Sequence, residues 1–210
     1  DHEADAIYTF CIHGPNVAAL KGKTTRRPPK PIDQGMDQVP ANLLDKQGNI
    51  QLAIDLFFVN NIPFLLTISK HLHFVTVDNL QNRQPDHIAK KLTAVLRLYR
   101  HRGFTVQSIH GDPEFEPIRE FFPHLSTVGA DDHVGEAERC IRAVKERTRA
   151  AYNALPFKAI PRNMTIRLVK NAVFWMNAFI SKNGASHQYS PRYIMTGKCL
   201  DFDKHVRLQF

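Results

Sequence analysis

The stretch QLAIDLFFV, Gln51 to Val59, decides the fold. It is β-rich and apolar with one acid, Asp55, inside it, and reads as a strand. Asn60-Asn61 follows as a turn, then PFLLTIS (Pro63–Ser69) as a second strand and FVTV (Phe74–Val77) as a third. Links this short imply antiparallel hairpins. From Gln84 to Arg102 the period changes. Ile88, Leu92, Val95, Leu96 and Tyr99 make a helical stripe, which Gly103 ends. Thr105–Ile109 (TVQSI) is a fourth strand entered from a helix, and so a candidate parallel partner. Helices are then expected over Glu116–Phe121, Gly135–Leu155 and Arg162–Ser181. The second carries Ile141, Val144, Thr148, Ala151, Tyr152 and Leu155 on its buried side, and the third carries Val169, Val173, Trp175, Met176 and Phe179. Three antiparallel strands, a helix, a parallel strand and further helices make a mixed sheet with helices packed on it, an α/β layer architecture.

Upstream of this block the chain is of another kind. Residues 1–20 have room for one short helix, with Ala4, Ile7 and Cys11 at near-helical spacing before His13-Gly14-Pro15. Lys21, Lys23, Arg26, Arg27 and Lys30 follow with Pro28, Pro29 and Pro31 among them. Prolines forbid a regular helix here, so Lys21–Pro40 reads as an extended basic linker. It is either a solvated spacer or an arm that tracks phosphates. The expected division is a helical remnant at 1–20, a basic linker at 21–48, a core at 49–183 and an extension of that core at 184–210.

Composition narrows the classes. The chain has 210 residues, 43% hydrophobic and 23% charged, enough to bury a core. No apolar run is long enough to span a bilayer, which excludes an integral membrane protein of the helical kind. The first residues, Asp-His-Glu, lack an initiator Met and a basic-then-apolar leader, as expected of a piece of something longer. Cys11, Cys140 and Cys199 are scattered and odd in number. That suits neither a disulfide framework nor a zinc site, and it points to a reducing, intracellular compartment. A net charge of +8 favours a polyanionic partner, nucleic acid before membrane.

Three acids stand out, each with an ordinary explanation beside a functional one. Asp55 lies mid-strand among Ile54, Leu56, Phe57 and Phe58. A carboxylate there costs several kcal/mol unless something compensates it, in the ordinary case a buried arginine or a backbone bend. Asp112 follows the fourth strand in SIHGD, where a strand end opens into a crevice; otherwise it is a turn-former before Pro113. Glu138 opens the long helix in GEAERCIR, a place that the helix dipole alone would favour. If the first and fourth strands are neighbours, Asp55 and Asp112 converge and the helix can lay Glu138 beside them. Three carboxylates with open positions are what a pair of Mg²⁺ or Mn²⁺ ions needs, and such a pair serves in-line attack at phosphorus. Glu138 is preferred over Glu136, which helical rotation turns toward solvent. Arg139, Arg142, Lys145, Arg147 and Arg149 follow in the same helix. Arg142, Lys145 and Arg149 share the face of Glu138. By itself this is a solvated basic face; beside a carboxylate site it reads as a rail for DNA phosphates.

At these residues the chain resembles the catalytic core of retrotransposon integrases, in particular the copia type. The stretches concerned are IDLFFVNNIPFLLTISKHLHFVTV, IHGDPEFEPIREF, DDHVGEAERCIRAVKERTRAAYNALPF and SPRYIMTGKCLDFDKHVRL, with ALKGKTTRRPPKP similar to the segment just upstream of such cores. The resemblance implies an RNase H-like mixed five-stranded sheet and a D,D,E metal triad of Asp55, Asp112 and Glu138. The implied activity is removal of nucleotides from element cDNA ends and joining of those ends to target DNA. Arg139, with Lys21, Lys23, Arg26 and Arg27 of the linker, joins the cations expected to touch DNA. The resemblance also implies a homo-multimer, a polyprotein source, and work in the nucleus after a cytoplasmic particle stage.

Three features depart from the family. Twenty-five residues separate Asp112 from Glu138, fewer than is usual, so the loop before the catalytic helix is short. Asp112-Pro113-Glu114-Phe115 stands for the common Asp-Asn-Gly-Gly-Glu-Phe, and Pro113 stiffens that turn. No His/His/Cys/Cys module precedes the core, since His2, Cys11 and His13 lack its spacing, and no zinc is expected here. Two alternatives stay open. One is a decayed or domesticated core that only binds DNA. The other is a true RNase H, disfavoured because Gln84–Arg102 offers only Asp86 as a further acid.

Overall fold

The computed structural model describes residues 2–14, 35–127 and 131–201. The strands are β1 (Asn49–Val59), β2 (Ile62–Ser69), β3 (Val75–Asn79), β4 (Thr105–His110) and β5 (Leu125–Ser126). They form one mixed sheet in the order β3-β2-β1-β4-β5, with β1 at its centre. β1, β2 and β3 are antiparallel neighbours, and β4 and β5 run parallel to β1, so the sheet has the RNase H-like arrangement. The β1–β2 turn is Asn60-Asn61, at φ 48 and φ 60, between the paired residues Val59 and Ile62. Both residues are left-handed, as a two-residue type I′ hairpin requires, and asparagine tolerates that backbone where most side chains do not.

Six α-helices are described: α1 (His2–His13), α2 (Ala41–Gln47), α3 (Pro85–His101), α4 (Asp131–Asn153), α5 (Arg162–Ala178) and α6 (Pro191–Thr196). α1 belongs to a separate unit ending at Gly35, and all the rest belong to a second unit beginning at Met36. Alternate residues of β1 feed two cores, because successive side chains of a strand point to opposite faces. Ile50, Leu52 and Ile54 pack in one cluster with Leu92, Val95 and Tyr99 of α3. Ala53 and Phe57 pack in the other with Ile141 and Val144 of α4 and Val169 and Val173 of α5. Each valine, leucine, isoleucine or phenylalanine among them, when fully buried, contributes about 1.5–3 kcal/mol. Asp55 therefore belongs to the face that α4 and α5 cover.

Several boundaries differ from the expected ones. α4 begins at Asp131, four residues before Gly135, because its polar first turn has no apolar stripe to announce it. Where a short helix was expected over Glu116–Phe121, a 3₁₀ segment runs from Pro113 to Phe121, with Pro113 suited to a helical first position. α2 and α6 have no counterpart in the expected elements. Leu43 of α2 and Ile194 and Met195 of α6 are nonetheless buried in the α3-side core. α6 has clear ends: the Ser190 hydroxyl accepts from the Tyr193 amide, Pro191 opens the helix, and Gly197 closes it at φ +62. The linker cations Lys21, Lys23, Arg26 and Arg27 lie outside the described residues. Among the described residues no helix is long and apolar enough to cross a membrane.

Candidate active site

β1 and β4 pair in parallel as far as Ala53 opposite His110. Carried two residues further in step, that register sets Asp55 beside Asp112, each just past the end of the ladder. Gly111 makes the approach possible. A Cβ at Gly111 would lie 2.8 Å from Ile54 Cγ1 and 2.8 Å from Phe115 Cδ2, too close for any side chain.

Asp55 shows the consequence electrostatically. Its carboxyl is pushed up from 3.8 to about 6, first by burial beneath α4 and then by the Asp112 carboxylate; Glu138 and Glu114 push the same way, and only the Leu56 amide opposes them. Acids from a strand, a strand end and a helix thus share one neighbourhood. Glu138 is the eighth residue of α4. It lies beyond the first turn, where the helix dipole would act, so that explanation does not account for its place. It stands one turn before Ile141 and is exposed, whereas Ile141 is buried.

In front of the acids lies a groove of about 450 Å³ lined by Asp55, Glu138, Arg142, Lys145 and Arg149, with Phe57 and Phe58 on its strand side. The three cations share the face of Glu138, as the spacing predicts. Lys145 Nζ stands 5.9 Å from the centre of the Phe57 ring, a cation–π contact that holds the ammonium over the strand. Arg139 is placed elsewhere. It lines a second groove on the α5 side of α4, together with Glu136, Arg147 and Trp175. Glu136 is half-buried there, not turned to solvent as the rotation argument expects, because α5 flanks that side of the helix.

One ion pair of this region has no forerunner in the sequence. Arg83 Nη1 donates to Glu114 Oε1 at 2.9 Å, and its guanidinium carbon lies 5.5 Å from the Phe58 ring centre. The loop before α3 is thereby tied to both the 3₁₀ segment and the end of β1. Nothing in residue spacing could have paired Arg83 with Glu114 across 31 positions.

The donor set around Asp55 is all oxygen and all carboxylate, the chemistry that Mg²⁺ and Mn²⁺ select, and mutual repulsion is what a cation would relieve. Among the described residues no group of three or more His, Cys, Asp or Glu side chains is arranged as a ready metal cage. The acids are gathered by the fold, and their side chains are not drawn together around a common point.

No family model matches this chain, and no curated protein matches it. Among solved structures it is similar to the crystal structure of the catalytic core domain of BIV integrase in crystal form I, with a TM-score of 0.47 and 14% sequence identity, over 69% of this chain and 92% of that one.

Proposed function

We propose that this chain is the catalytic core of a copia-type retrotransposon integrase, a metal-dependent polynucleotidyl transferase that trims element cDNA ends and joins them to target DNA. The observation that carries this is the Asp55 carboxyl. It is raised first by burial and then by Asp112, with a smaller push from Glu138, at the head of a groove whose far wall is Arg142, Lys145 and Arg149. Anionic repulsion beside cations that form no ion pair among the described residues suits a substrate that brings phosphates and a divalent ion together.

In this reading Asp55, Asp112 and Glu138 hold Mg²⁺ or Mn²⁺. A pair of such ions supplies activation of the attacking oxygen and stabilisation of the leaving oxygen in displacement at phosphorus. The remaining work belongs to the chain. Arg142, Lys145 and Arg149 bind and orient the DNA backbone, which fixes the phosphate in line with its attacker. Phe57 and Ile141, buried beside Asp55, keep one side of its carboxyl out of water, so its charge interactions count for more, while Glu138 stays exposed. Assembly into a homo-multimer, release from a polyprotein and a nuclear site of action are proposed with the same reading.

The test is joining of cDNA-end duplexes to plasmid DNA with Mn²⁺. Joined products from the wild type and none from Asp55→Asn, Asp112→Asn or Glu138→Gln are expected. DNA bound without products by the wild type would replace this reading with a decayed core, which the short span between Asp112 and Glu138 would then explain.

A further inference from the structure

β1 ends between two cations. Successive side chains of a strand point to opposite faces, so Phe57 faces α4 and Phe58 faces α3. Each ring carries a charge. Lys145 Nζ lies 5.9 Å from the centre of Phe57, and the Arg83 guanidinium carbon lies 5.5 Å from the centre of Phe58. We propose that Arg83 is a further phosphate contact for the bound DNA, on the α3 side of the strand end as Lys145 is on the α4 side, and that Glu114 holds it there until DNA arrives. This contact rests on the reading of the α4 groove as a DNA site, and adds a second wall to it.

Position, chemistry and exposure all favour this role. Phe64 of β2 pairs with Phe57 on one side and with Asn79 on the other. The loop that carries Arg83 therefore leaves the sheet level with the end of β1, at the edge where Asp55 lies. Glu114 stands two residues after Asp112 and is among the acids that push up the Asp55 carboxyl, so the pair is within electrostatic reach of the site. A guanidinium keeps its charge at any working pH and presents its donors in a planar fork that suits phosphate. Among the described residues Arg83 makes a single hydrogen bond, from Nη1 to Glu114 Oε1 at 2.9 Å, and the rest of the fork is open. The two side chains are 56% and 49% exposed. A surface pair of this kind contributes little, so a phosphate can take over the guanidinium at small cost. The Phe58 ring keeps the cation at the strand end once the carboxylate lets go. A pair that served only to tie the loop to the 3₁₀ segment would gain from burial or from two-pronged geometry, and this one has neither.

The measurement is the affinity of the full chain for a DNA duplex, without divalent ions, over a range of salt. Arg83→Ala should flatten the plot of log affinity against log salt by about 0.9, as one lost phosphate contact does. Arg83→Gln, which can still donate to Glu114, should flatten it equally, and Arg83→Lys should keep the wild-type slope. Arg97→Ala, exposed near the far end of α3, should leave the slope unchanged. Glu114→Gln should tighten binding about two- to fivefold, the scale of a surface pair, and the gain should vanish in the Arg83→Ala background. A wild-type slope in Arg83→Ala, with Lys145→Ala flattened, would make Arg83 a loop tie and leave the DNA groove standing. A slope lost in Arg83→Ala but kept in Arg83→Gln would overturn the contact in the same way. A gain from Glu114→Gln that survives without Arg83 would overturn the holding role of Glu114. If the duplex does not bind, the DNA reading fails and the Arg83 contact with it.

Discussion

Ile54 of β1 fills the space that a side chain on Gly111 would need, and that contact brings the ends of the two parallel strands together. A methyl on Gly111 would stand 2.8 Å from Ile54 Cγ1. Gly111→Ala should therefore push Asp112 away from Asp55 as well as strain the core. We expect a loss of about 1–3 kcal/mol in urea unfolding, typical of overpacking, and a loss of joining activity at temperatures where the variant is fully folded. Full activity in a folded Gly111→Ala protein would show that the spacing of the two acids is not critical.

Asp55→Asn should raise stability in the absence of divalent ions. The fold favours the neutral acid, so the native state holds its proton to a higher pH than the unfolded chain does. Stability from this group is complete below pH 3.8 and is lost as pH rises through about 6. The advantage of the variant over the wild type should grow across that window and level off above it. Allowing for solvent at this half-buried site, it should reach about 1–2 kcal/mol. Mn²⁺ at pH 7 should raise the unfolding midpoint of the wild type more than that of the variant. A variant that is less stable at every pH would make Asp55 a structural partner of some cation.

Glu138 and Glu136 are two residues apart on α4, about 200° in rotation, and line different grooves. Glu138→Gln should abolish Mn²⁺-dependent joining, while Glu136→Gln should cost less than about tenfold, the scale of about 1.4 kcal/mol. Assays on the same DNA ends would rank them, and the reverse order would move the site to the α5 side of the helix.

Arg142→Ala, Lys145→Ala and Arg149→Ala should each weaken DNA binding by a similar factor on any sequence. Each should flatten the plot of log affinity against log salt by about 0.9, one phosphate's worth. Arg139→Ala, on the far groove, should change the slope less. Unchanged slopes in the first three would return that face to solvent.

The hairpins, the parallel return of β4 and the meeting of Asp55 with Asp112 were legible because they rest on short-range signals: strand runs, an Asn-Asn turn, and a strand entered from a helix. The face shared by Glu138, Arg142, Lys145 and Arg149 was legible because helical rotation is fixed. What lies opposite a face is not encoded in its period, so Glu136 was expected in solvent when α5 flanks it. The first turn of α4 escaped because it is polar. α6 escaped because six residues carry no period, although Ser190, Pro191 and Gly197 mark its ends. The pairing of Arg83 with Glu114 belongs to tertiary structure alone.

Asn177 of α5 accepts from the Val75 amide at 2.9 Å and donates to the Val75 carbonyl at 2.7 Å, so at that position one side chain occupies the outward hydrogen-bonding groups of an edge strand. A foreign strand arriving there would find its template already taken. The opposite edge, β5, is two residues long and offers almost no template. At Val75 and at β5 the two edges of the sheet thus offer little to pair with, by different means. A chain that meets this one at either of those places would have to do so through helix faces and loops, where register is set by side-chain shape and charge, and not by adding a strand to the sheet that carries Asp55 and Asp112.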